Sequence, residues 1–424
     1  MYSLISSREH FREIKAARRD RQTSRSAKEN PYSYRRFDQL TPSQVDEVRE
    51  ALVFREIGLS EGQVPVSGES FRANLASLPL EFDLRFQRMD SLTKDLPTTR
   101  RLLRRVLRDL AEDRVQYVEI MVNPFDKASP DPRGVNEVFG KGSEAAKELT
   151  SVLSTNSAEF GVLCAEHVLR RYIDEVNSVR SELARSHGGS RRPTELIDAR
   201  FLLATRRVGL QRKERIEECF ELVSRFRRHP LARYRERVVG INIMGNEFGM
   251  RDRPTDYLQS ILPQVTKHGS DCGVSLHAGE SGVDDGHTFD SILLGAQRLG
   301  HGLSLKYSQK ASTMAFDRGI CIEACPLSNK FLGFTPDLGN HHPLRTWIDR
   351  GQRVCLNTDD PGLFETSQTD EFYFAALAFD LTLAEIRKLC EESLSAAFIT
   401  DAQRTVHLND FQVAFDQYVS TFQP

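Results

Sequence analysis

The chain lacks any apolar run of roughly 18 residues and its mean hydropathy is −0.44, so no segment suits a membrane-spanning helix. An excess of positive charge is missing too. Against 58 Lys and Arg stand 60 Asp and Glu, a formal net charge of −2, which excludes a protein basic throughout, as nucleic-acid binders often are. A disulfide framework is also absent, because the seven cysteines are odd in number, scattered and mostly set in apolar stretches. Only Cys321 and Cys325 lie close together, with no second pair to complete a zinc ribbon, and they read as reduced core thiols. The first ten residues hold no apolar segment of signal-peptide length, so the expected location is cytoplasmic. What remains is a soluble, folded composition, 39% hydrophobic and 28% charged over 424 residues. That length fits two or three domains, or one barrel with insertions.

Three regions are expected along the chain. Residues 1–40 form a basic N-terminal arm or a divergent first strand: the first 36 hold ten Lys or Arg against four Asp or Glu. Residues 41–113 are helical, opening on Thr41 as an N-cap with Pro42 at the first helical position. The last element there, Thr98 to Asp113, carries Leu102, Leu103, Val106, Leu107 and Leu110 at helical spacing. Residues 114–424 hold the main part of a barrel. Seven short apolar runs, separated by helical stretches, begin at Val115, Ala199, Val238, Gly273, Arg298, Gly319 and Arg353. Runs of this kind indicate parallel strands buried on both faces, and the fold class expected is α/β, a (β/α)8 TIM-like barrel with extra N-terminal helices. The Arg298 run is expected to extend to Leu305, and Asn177 to Pro193 to be a surface excursion.

In a closed barrel the chemistry sits at the carboxyl ends of the strands. Unusual residues cluster there: Gly245-Asn246-Glu247, His277-Ala278-Gly279-Glu280, His301-Gly302, Pro326-Leu327-Ser328-Asn329 and Asp359-Asp360-Pro361. Each has a plain reading when taken alone: a core histidine, a turn, a solvated helix start. Their joint placement at one barrel mouth favours function. A His and an Asp ligand with a nearby Glu suit metal-assisted hydrolysis, with Glu280 and His301 moving protons.

Ser-Leu-His-Ala-Gly-Glu at 275–280, Arg-Leu-Gly-His-Gly at 298–302, Cys-Pro-Leu-Ser-Asn at 325–329 and Leu-Asn-Thr-Asp-Asp-Pro-Gly at 356–362 resemble the adenosine deaminase family, AMP deaminases included. The resemblance implies hydrolytic loss of ammonia from an adenine nucleoside or nucleoside monophosphate, with Zn2+ as cofactor. It implies that His277 and Asp359 ligate the metal and that Glu280 exchanges a proton with the purine ring nitrogen. His301 would orient the attacking water, Asp359 would also take its proton, and Asp360 and the Gly245 backbone would contact the base. A purine is the implied partner, with no membrane or specific nucleic acid. A homo-oligomer or a partner protein remains open.

The chain departs from the family at the first strand, where members carry His-x-His. No histidine lies between His10 and His167, and the segment in the expected place runs Tyr32 to Asp38. Three explanations stand. The chain is a catalytically inactive purine-binding homologue, serving as a sensor or assembly subunit, with an arginine where zinc would be. Or it holds metal with a reduced ligand set, or its first strand lies elsewhere. If Arg35 and Arg36 face the mouth, they suit a bidentate grip on a phosphate; otherwise they belong to the solvated arm.

Overall fold

The structure, a computed structural model, describes residues 96–125, 132–153, 157–186, 197–207, 212–245, 247, 258–268, 272–281 and 286–421. It also describes residues 2–3 and 35–36 and short runs within 41–46 and 82–89. The chain divides into two units: Met1–Lys94 with Asp360–Glu365, and Asp95–Asp359 with Thr366–Pro424.

In the first unit β1 (Tyr2–Ser3) pairs antiparallel with β2 (Arg35–Arg36). Arg35 and Arg36, the described part of the segment expected in place of the family's first strand, thus take part in a two-stranded sheet and not in the barrel sheet. The rest of the 1–40 segment lies outside the described residues. The expected N-cap forms: Thr41 Oγ1 accepts from Gln44 N at 3.3 Å, and Gln44 Oε1 accepts from Thr41 N at 3.1 Å. Phe82 stacks on Phe364 at 5.6 Å between ring centroids.

The second unit is an α/β TIM-like barrel. Its sheet runs in the order β3 (Tyr117–Val122), β4 (Asp198–Arg206), β5 (Val238–Met244), β6 (Gly273–Ala278), β7 (Arg298–His301), β8 (Cys321–Ala324) and β9 (Val354–Leu356). Every neighbouring pair is parallel. All seven apolar runs become strands, and β4 and β5 are buried along nearly their whole length on both faces. Among the described residues no eighth strand joins this sheet.

A charged layer shows how the sheet curls. Arg298 on β7 donates to Glu119 on β3 at 2.5 Å and pairs with Glu323 on β8 at 2.8 Å. β3 and β7 are separated by three strands in the sheet, so their side chains meet only because the sheet wraps round on itself. Ser275 donates to Glu323 at 2.8 Å and accepts from Asn242 at 3.0 Å, which extends the layer to β6 and β5. Below it the Phe398 ring lies 3.7 Å under the Arg298 guanidinium, and the Phe398 backbone N donates to Glu119 at 2.7 Å. Gly273 makes room for that ring: a Cβ there would stand 2.2 Å from Phe398.

Three expectations are corrected. The run from Arg298 stops as a strand at His301, because His301 and Gly302 both take positive φ, 64° and 66°, and turn the chain into a 3-10 helix over Leu303–Tyr307. The first part of Asn177 to Pro193 is no excursion but the end of a helix, Ser157–Ser186, whose Val176 and Val179 are buried. Glu175 and Glu182 on that helix bind Arg100 and Arg104 of the helix Leu96–Glu112. Residues 187–193 lie outside the described residues. Leu102 is exposed, not part of the buried stripe that holds Leu103 and Leu107. No described helix is long and apolar enough to cross a membrane.

Candidate active site

Three strand ends bring their polar residues to one place. β6 carries His277 and then turns through Gly279, whose φ is +83°. A Cβ on Gly279 would stand 2.4 Å from Ser304 Oγ and 2.9 Å from Ser304 N, so only glycine allows this close approach. The turn delivers Glu280. β7 ends on His301 at φ 64°, and the chain beyond β9 reaches Asp359 at φ 54°. Neither residue is glycine, and both sit in the left-handed region that costs side-chain-bearing residues energy.

His301 stands between two carboxylates. Its Nε2 lies 3.7 Å from Glu280 Oε1 and 3.8 Å from Asp359 Oδ2. The His277 and His301 rings are 5.3 Å apart, inclined at 63°. Burial, reinforced by Asp359 and Glu247 and only partly opposed by His301, pushes the Glu280 carboxyl up to about 7. Burial also lowers the pKa of His301, but the Glu280 and Asp359 carboxylates outweigh it and hold that imidazole above its usual value. His277 behaves in the opposite way: burial, with the charges of His301 and Arg207, drives it well below the usual value and keeps it neutral.

The short helix Pro326–Phe331 backs this group. Ser328 Oγ donates to Asp359 Oδ2 at 2.7 Å, and Asn329 Nδ2 lies 3.1 Å from His301 Nδ1. The Leu327 N–H donates to Glu371 Oε2 at 3.3 Å. A second support comes from Arg207, which follows β4 and is fully buried. It donates to the His277 carbonyl at 2.6 Å, to Glu247 Oε1 at 3.1 Å and to His287 Nδ1 at 2.8 Å. Glu247 Oε1 in turn accepts from Gly279 N at 3.1 Å. Gly245, at φ 132°, belongs to the same place: a Cβ there would lie 3.4 Å from Arg207 Cγ.

Of the residues singled out in the sequence, His277, Glu280, His301 and Asp359 come together, and Gly245 borders them through Arg207. Asp360 groups with the first unit, where its carbonyl accepts from Leu363 N and Phe364 N at the start of Pro361–Phe364. Arg35 and Arg36 lie in β2, and their side chains, like all of Asn246, fall outside the described residues. Sequence reasoning gave no part to Arg207, Ser328 or Asn329. Ser328 and Asn329 lay inside a quoted motif; for Arg207 the signal was the pair Arg206-Arg207 after the apolar run that ends at Thr205.

The donor set suits a metal ion. One ligand atom each from His277, His301 and Asp359 lies within 4.8 Å of the others. Imidazole nitrogen and carboxylate oxygen are zinc's ordinary donors. The Nδ1 of His277 is buried without a hydrogen-bond partner, as is Glu247 Oε2. Gly300 lets the His277 ring sit where it does, since a Cβ there would come within 3.3 Å of its Cγ and Nδ1.

Comparison with known proteins agrees with this arrangement. A family model described as adenosine deaminase matches residues 69–412. The chain is 32% identical over 191 residues to an adenine deaminase of Agrobacterium fabrum, covering 45% of this chain and 55% of that protein. It is 30% identical over 167 residues to an adenosine deaminase of Enterococcus faecalis, covering 39% and 48%. These alignments span about half the length of the curated relatives. Among solved structures, Arabidopsis ADAL complexed with IMP shares the fold at a TM-score of 0.59 and 22% identity, over 82% of this chain and 86% of that one. The adenine deaminase of Arthrobacter aurescens does so at 0.58 and 18% identity, over 95% and 94%. With the model spanning most of its length and the motif residues gathered at the strand ends, the chain belongs to the adenosine deaminase family.

Proposed function

We propose that the chain is a hydrolytic purine deaminase that releases ammonia from an adenine nucleoside or nucleoside monophosphate. The observation that carries this reading is the gathering of His277, Glu280, His301 and Asp359 at the strand ends, with the Glu280 carboxyl, mostly buried, pushed up to about 7. An acid poised there can protonate a ring nitrogen and still give up its proton near neutral pH, which is the property a general acid needs. Protonating the ring nitrogen beside the amino-bearing carbon makes that carbon electrophilic, so water adds to it and ammonia leaves. Asp359, which accepts from Ser328, would take the water proton. Gly245 and Asp360 are proposed to meet the base.

His277 and Asp359 would hold a metal. A zinc ion there supplies Lewis acidity, which makes water nucleophilic near neutral pH. The relatives named for adenine, adenosine and N6-methyl-AMP bracket the substrate class, and an IMP complex among the solved structures supports including monophosphates. The phosphate grip by Arg35 and Arg36 stays a proposal within that class.

The test is a panel of adenosine, deoxyadenosine, AMP, dAMP, adenine and N6-methyl-AMP, followed by release of the amine, ammonia or, from N6-methyl-AMP, methylamine, and by the ultraviolet shift to hypoxanthine. Glu280→Gln should lower turnover of the accepted substrate by about 100- to 10,000-fold while leaving purine binding in place. A second reading, a purine-binding homologue without turnover, is favoured by the missing histidine pair and by the pairing of Arg35–Arg36 with β1. No reaction on the whole panel with zinc, manganese and cobalt, alongside purine binding by calorimetry, would decide for it.

A further inference from the structure

The resemblance gives His301 the task of orienting water, but its surroundings point to another. Both carboxylates near Nε2 stand at 3.7 and 3.8 Å, too far for hydrogen bonds. Two ligands on one tetrahedral zinc lie about 3.4 Å apart, given bonds of about 2.0–2.2 Å. The 3.8 Å from Nε2 to Asp359 Oδ2 is within a few tenths of an ångström of that spacing, and His277 completes the group of three.

Asn329 supplies the second observation. It is fully buried, its Nδ2 faces His301 Nδ1 at 3.1 Å, and its Oδ1 is buried without any partner. Amide oxygen and nitrogen are interchangeable in such a placement. Turned over, the amide would accept from a proton on Nδ1 instead of donating to that nitrogen. The oxygen is then satisfied, and the imidazole is fixed in the tautomer whose Nε2 lone pair faces Asp359. Metal-bound histidines are held in this way by an acceptor on their other nitrogen.

We infer that His301 is a third metal ligand, with His277 and Asp359, and that Asn329 is the positioning residue that holds its ligating tautomer. Three protein donors would make up for the missing histidine pair. This inference rests on the reading that the site takes a metal.

The test uses the full chain, stripped by a chelator and titrated with Zn2+ by calorimetry and with Co2+ by visible absorption. His301→Asn should take up metal only substoichiometrically, as His277→Asn does, whereas Glu280→Gln should bind as the parent does. Asn329→Leu should weaken binding by about 10- to 100-fold, while Asn329→Asp, which can only accept, should keep it. Should His301→Asn fold poorly, His301→Cys serves instead: with Co2+ it should show a thiolate charge-transfer band. Metal binding lost in the His277 and Asp359 variants but unchanged in His301→Asn and Asn329→Leu, or a cobalt-loaded His301→Cys without the band, overturns the third ligand alone. A parent protein that takes up no metal overturns it together with the metal reading.

Discussion

Glu371 shows how a single buried carboxyl can set the pH response of this fold. It has no solvent exposure, one oxygen accepts from Leu327 N, and the other lacks a partner. Burial, helped by Asp359 and Asp370 and partly opposed by the Leu327 hydrogen bond, pushes it from a usual 4.5 up to about 8. The native chain therefore keeps a proton that the unfolded chain gives up between those values. Its contribution to stability is full below about 4.5 and is lost as pH rises through about 8, at up to about 1.4 kcal/mol per unit. Glu371→Gln keeps the volume and an acceptor for Leu327 N but cannot ionise. Urea unfolding at about pH 5 and about pH 9 should show the parent losing a few kcal/mol more than the variant across that interval. Parallel curves would remove Glu371 as the cause. At this scale the sequence made four residues legible, His277, Glu280, His301 and Asp359, because each is a polar residue within an apolar run or a few residues beyond its end. Glu371 was not legible: nothing about a glutamate in the first turn of a helix says that the helix end will be sealed from water.

Among the elements, the strand ends are tied together by ionic and hydrogen-bonded contacts. Arg207 binds the His277 carbonyl near the end of β6, the Glu247 carboxylate beyond β5 and the His287 ring. Both charges are sealed off, with side-chain exposures of 0% and 1%. Removing one partner leaves the other buried and uncompensated. Arg207→Met should cost about 3–5 kcal/mol in urea unfolding, and adding Glu247→Gln should return part of that loss. Strictly additive losses would mean that the two residues do not act as a pair. The seven strands were readable from runs that are apolar on both faces. The break after His301 was not, because the sign of φ leaves no mark in a hydrophobic pattern. Asn177 to Ser186 misled for a related reason: its arginines and serines look like a loop, yet Ser178, Ser181 and Arg185 are exposed positions of a helix that buries Val176 and Val179 and turns Arg180 to the Ile197 carbonyl.

For the molecule as a whole, one end of the barrel is filled and the other carries the chemistry. The filled end is the layer of Arg298, Glu119 and Glu323 with Phe398 beneath it, seated against Gly273. Gly273→Ala would set a methyl group 2.2 Å from the Phe398 ring. It should lower stability by about 1–3 kcal/mol in thermal or urea unfolding, and by less in a Phe398→Leu background that leaves space. A loss equal in both backgrounds would show that the ring is not what the methyl meets. The barrel class was legible from the rhythm of the strands, but the filling was not, since it joins residues as far apart as Glu119 and Phe398.

The left-handed backbone at His301 and Asp359 has a consequence for anyone who wants a hardier version of this protein. Each position asks an L-residue to sit where glycine or asparagine rests more easily, at a cost of about 1–2 kcal/mol. A library screened for heat tolerance alone would thus be drawn to these two sites. Its best survivors would be those that had discarded the imidazole and the carboxylate, so robustness and competence have to be selected together here.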